Sequence, residues 1–134
     1  MAISATYEAL YHIALTEFGD IVVKAEIQRL PTGDPRKVRL HLIDSSFIDI
    51  FVSVTGRYAY HWDRTMTDRA DLYRHDNAPH KAWQYVPTYP KHFHDGSEDN
   101  VTSSHISNQP TEAVREFCAF VRQKLSNEAG SISH

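Results

Sequence analysis

Cysteine is nearly missing from this sequence: Cys118 stands alone. One thiol closes no internal disulfide and cannot by itself anchor a thiolate metal cluster, so a reducing cytoplasm is the expected setting. Long apolar runs are missing too, which leaves no candidate for a membrane-spanning helix. The opening stretch MAISATYEAL has neither the basic flank nor the apolar centre of a secretory signal, and none is expected. Positive charge is in short supply, with 14 Lys and Arg against 17 Asp and Glu, a formal net charge of −3. That balance excludes coating nucleic acid through bulk electrostatics.

What the chain does have is histidine, and it is unevenly placed. Six of the nine lie between His61 and His105. Residues 57–94 also hold six Arg and Lys against four Asp, so the histidine-rich middle is the locally basic part. With 134 residues, 41% hydrophobic and 23% charged, the expected organisation is one α+β domain over 1–127 followed by a flexible tail at 128–134.

The pattern of apolar residues predicts the elements. Tyr7, Leu10, Tyr11, Ala14, Leu15 and Phe18 recur at three- and four-residue steps, a helix that begins near Ser4 or Thr6 and stops at Gly19. IVVKAEIQR, KVRLHLID and FIDIFVSV read as three strands joined by the turn signals LPTGDP and Asp44-Ser45-Ser46. RYAYHWD places Tyr58, Tyr60 and Trp62 on one side and His61 on the other; RADLYRH returns as its partner. Residues 76–110 contain four prolines and read as loops with one short strand near Tyr89–His94. TEAVREFCAFVRQKL carries a stripe of Val114, Phe117, Cys118, Val121 and Leu125, a helix opened by Pro110. The expectation is an antiparallel sheet of about five strands, with an N-terminal and a C-terminal helix packed on one face.

Cutting RNA without a metal requires a base for the 2′-hydroxyl proton, an acid for the leaving 5′-oxygen, and a cation beside the charged phosphorane. Imidazole serves both proton roles because its pKa lies near neutrality. A guanidinium fits phosphate with two parallel hydrogen bonds. His61, Arg74, Asp76, His80, His92 and His94 supply these parts. In this reading His80 or His92 is the base and the other the acid, Arg74 holds the phosphate, and Asp76 orients an imidazole. Asn77 is the neutral counterpart of Asp76 and a candidate substrate contact. In an extended segment His92 and His94 face the same way.

Structural roles compete with these. His12, His41, His105 and His134 are read as solvated surface groups, and Tyr58, Tyr60 and Trp62 as core. Asp76-Asn77 before Ala78-Pro79 also fits turn chemistry. Two other functions stay open. One is a binding module for protein or RNA without turnover. The other is a metal-dependent hydrolase with ligands from His80, His92, His94 and either His61 or Asp76. No cysteine and no HExxH segment assists a metal, so no metal ligand and no cofactor is assigned.

At these residues the chain resembles a family. YHW at 60–62, RHDNAPH at 74–80, and YPKHFH at 89–94 with Val101 and Ser104 beyond, are similar to the TumE family of small prokaryotic toxin–antitoxin toxins. That pattern runs Tyr-His-Trp, Arg-Tyr-Asp-Asn-Ala-Pro-His-His, then Phe-Pro-His-His-Lys-His. The resemblance extends over residues 20–125, including LHLIDSSFIDIFVSV. It implies a toxin acting on RNA, with a cognate antitoxin as partner. It places His61, Arg74, Asp76, Asn77, His80, His92 and His94 on the family's polar positions. His75 departs from the usual tyrosine, Phe93 from a lysine, and Lys81 and Lys91 from histidines; the two lysines still suit a phosphate as point charges.

Overall fold

The computed structural model describes residues 2–132. His134, read above as a solvated group, lies outside them. Among the described residues, seven strands form one antiparallel meander in sequence order, each hydrogen-bonded to the next. They are β1 (Val22–Arg29), β2 (Pro35–Leu42), β3 (Phe47–Val52), β4 (Tyr58–Asp63), β5 (Leu72–Asp76), β6 (His92–Gly96) and β7 (Val101–Ser103). Helices α1 (Ala2–Glu17) and α2 (Pro110–Ile132) pack on each other and on one face of the sheet.

Alternation decides which face is buried. Val38, Leu40, Ile48, Ile50, Tyr60 and Trp62 point under the helices and are at most 1% exposed. At about 1.5–3 kcal/mol for each large apolar side chain, this layer supplies the main driving force for folding. Tyr7 ties α1 to the end of β3: its hydroxyl donates to the Val52 carbonyl at 2.9 Å and accepts from the Val52 amide at 3.0 Å. Trp62 stacks on Tyr73, with ring centroids 5.4 Å apart, and its indole N–H donates to Ser46 Oγ at 2.8 Å.

The turns are short because their residues allow it. The β3–β4 turn places Gly56 at φ +87°, a conformation in which a side chain is strained. Asn77 secures that turn: its carboxamide accepts from the Tyr58 amide at 2.9 Å and donates to the Gly56 carbonyl at 2.8 Å. Asp44 caps the β2–β3 turn by accepting from the Ser46 amide at 3.0 Å.

Two features differ from the sequence reading. The sheet has seven strands rather than about five: residues 76–110 contribute β6, at the short strand expected near Tyr89–His94, and also β7 and a 3₁₀ turn at Lys81–Trp83. The last helix does not give way to an irregular tail at 128; it continues to Ile132. Glu128 there accepts from Arg64 at 2.7 Å. Arg64 is 1% exposed, forms a two-bond fork with Asp71 and lies over the Trp62 ring, so it fastens the β4–β5 hairpin to α2.

Candidate active site

The sheet face away from the helices is polar, and the register assembles it. His61 pairs across strands with Arg74, and Arg74 with His94. One row along, Ala59 pairs with Asp76 and Asp76 with His92. Side chains directly opposite on neighbouring strands touch when they share a face. Three strands therefore bring five of the six expected catalytic residues together: His61, Arg74, Asp76, His92 and His94.

Arg74 is the hub. Its Nε donates to Asp76 Oδ2 at 3.1 Å. Nη1 lies 3.4 Å from His61 Nδ1, and Nη2 lies 3.1 Å from His94 Nε2. A guanidinium has only donors, so both imidazoles face it with an unprotonated nitrogen. Glu98, on the β6–β7 turn, reaches Nη2 at 2.7 Å but is largely exposed.

The rings differ in their surroundings. His61 is held below its usual pKa by burial and then by the Arg74 charge, which outweigh the raising effect of Asp63; Asp63 Oδ2 lies 3.6 Å from its Nε2. His94 is lowered mainly by burial, against a backbone contact at Glu98 that raises it. His94 Nδ1 donates to the Glu98 carbonyl at 2.9 Å. His92 Nδ1 donates to the Pro90 carbonyl at 2.8 Å, and its Nε2 sits 3.2 Å from Asp76 Oδ1. Both nitrogens of His92 are engaged within the protein, one of them facing Asp76, and the residue is 1% exposed. Trp83 roofs this end, edge-on to His94 with centroids 5.5 Å apart.

The other expected site residues lie elsewhere. His80 stays on the exposed loop before the 3₁₀ turn, and among the described residues no hydrogen bond, ion pair or ring contact joins it to the cluster. Lys81 is exposed beside it. Lys91 donates to the Ile106 carbonyl, and Asn77 is committed to the β3–β4 turn. Asp63 is the residue that sequence reasoning missed. Its alternation with His61 along β4 was the available signal.

His75 points the other way. It lies between Arg74 and Asp76 and so faces the helices, stacked on Phe93 with centroids 4.2 Å apart and sharing a hydrogen bond of 2.7 Å with Ser104. It takes the place of a core aromatic.

Fold and site together define a small two-layer α+β protein with a histidine-rich polar face on an open antiparallel sheet. Among the described residues, no helix is long and apolar enough to cross a membrane. The chain belongs to the family described as Toxin TumE, which matches residues 11–125. No curated protein and no solved structure matches it.

Proposed function

We propose that this toxin is an endoribonuclease that cuts RNA at the His61–Arg74–His94 row and is neutralised by a cognate antitoxin. One observation carries the reading: the Arg74 guanidinium lies between two imidazoles supplied by neighbouring strands. A phosphodiester on Arg74 would have a ring on either side. His61, biased toward its neutral form, accepts the 2′-hydroxyl proton, with Asp63 behind Nε2 to hold the ring. The 2′-oxygen attacks phosphorus, the bond to the 5′-oxygen breaks, and His94 gives that oxygen a proton. The phosphate cancels the Arg74 charge that lowers both rings, which favours one of them carrying that proton. Asp76 fixes the guanidinium plane, and His92 fixes Asp76. The products are a 2′,3′-cyclic phosphate and a 5′-hydroxyl. This chemistry involves no metal.

The test is cleavage of a defined RNA in chelator by wild type and His61→Ala. Wild type should leave cyclic-phosphate ends and spare a substrate with a deoxyribose at the cut. His61→Ala should be slower by about 10²–10⁴-fold. Equal rates for the two, or no cleavage by folded wild type that arrests growth, would overturn the assignment.

A further inference from the structure

Three residues that the acid–base reading uses to supply and position groups around Arg74 also form a second arrangement on the same face. Asp76, His92 and His94 each offer one ligand atom, and the three atoms lie within 4.8 Å of one another. They come from adjacent strands at positions with little freedom: both rings are at most 2% exposed. Each ring donates its Nδ1 hydrogen to a backbone carbonyl, His92 to Pro90 and His94 to Glu98. That is the outer-shell bond that fixes the tautomer of a metal-ligating histidine and turns its Nε2 lone pair inward. His92 Nε2 then faces a carboxylate oxygen at 3.2 Å, where a cation is needed between them, either a proton or a metal ion.

From this geometry we propose that Asp76, His92 and His94 form a binding site for a divalent transition-metal ion. Two imidazoles and one carboxylate select zinc, iron, cobalt or nickel over magnesium or calcium, which prefer all-oxygen shells. Water or a substrate oxygen would complete the coordination. Arg74 would have to release His94 Nε2, and Glu98 already holds the same Nη2 at 2.7 Å and can keep it. Ion and guanidinium therefore compete for His94. The proposal goes beyond the nuclease reading and does not rest on it. Metal loading would withdraw His94 from the Arg74 row and suppress metal-free cleavage.

The experiment titrates chelator-stripped full-length protein with Zn²⁺, Co²⁺ and Mg²⁺ in turn, by calorimetry and by Co²⁺ absorption. The proposal expects one Zn²⁺ or Co²⁺ per chain, a raised melting temperature, and no uptake of Mg²⁺. His94→Gln and Asp76→Asn should each weaken Zn²⁺ binding by at least about tenfold while their apo forms keep a cooperative melt. Should either variant fail to fold, ¹⁵N-imidazole NMR of the wild type decides: Zn²⁺ must move the Nε2 signals of His92 and His94. No stoichiometric uptake by folded wild type, or shifts confined to His12, His41 or His105, overturns it. RNA cleavage is followed in chelator alongside. Zinc binding without cleavage would sink only the nuclease, and cleavage without zinc binding only the metal site.

Discussion

Replacing His75 by phenylalanine should make the protein's stability less sensitive to acid. His75 is packed between Phe93 and Phe117 on the helix-facing side, and burial, followed by the Lys91, His105 and His92 charges, lowers its pKa from 6.5 to about 4. The unfolded chain takes up this proton as pH falls through 6.5, whereas the folded chain resists until about 4. Stability is therefore undiminished above 6.5 and is lost progressively between the two values, by on the order of 3 kcal/mol. Phenylalanine keeps the ring stack but has nothing to titrate. It also leaves the buried Ser104 hydroxyl without its partner, a cost of about 1–3 kcal/mol. That cost is the same at every pH, so it shifts the curve without changing its slope. Urea denaturation of both proteins from pH 7 to pH 4 separates the two effects. The groups common to both proteins, His61 and His94 among them, cancel in the difference. Parallel curves across that range would show that His75 is not the buried neutral ring described here.

Two further outcomes follow from ion pairs. Arg64→Met should cost roughly 2–3 kcal/mol, read as a fall in the urea midpoint, because it removes the buried guanidinium whose charged hydrogen bonds join Asp71 and Glu128; a change within experimental error would mean the clamp is ornamental. Glu98→Gln should tighten binding of a non-cleavable RNA analogue by up to about fivefold at low salt, since the exposed Glu98 carboxylate occupies an Arg74 donor that a phosphate would need. Added salt should erase that gain, and weaker binding by the variant would show that Glu98 helps the ligand.

The first five strands and both helices were legible because each carries its period plainly. Tyr58, Tyr60 and Trp62 declare the core face of β4, and that fixes His61 on the other. β6 and β7 were less visible for a physical reason. They are five and three residues long, follow Pro87 and Pro90, and carry one apolar residue each besides glycine, Phe93 and Val101, too few to show a period. The His92–His94 side of β6 is covered by Trp83, which no local periodicity announces. The helical end at 128–132 was missed because its anchor, Arg64, lies 64 residues away. Within the candidate site, type and spacing singled out His61, His92 and His94, which the register brings together, and also His80, which looked equivalent to His92 on paper. Only the register shows that His92 is paired with Asp76 while His80 remains on a loop.

That register also makes the two ends of the polar face chemically different. Glu26, Arg39, Asp49, His61, Arg74 and His94 follow one another across six strands in a single row. At the β2–β3 end the charges are matched. Burial would raise the Asp49 carboxyl, but forked bonds from Arg39 and a third from Lys37 overcome it and hold its pKa below the usual range. A continued salt-bridge ladder would place carboxylates at 61 and 94 to flank Arg74. The sequence places imidazoles there, whose neutral rings accept from the guanidinium without cancelling its charge. Asp76 and the exposed Glu98 are then its only anionic partners among the described residues, and Glu98 is the one an incoming anion can displace. A row built for rigidity thus ends in a cation that remains available to a phosphate.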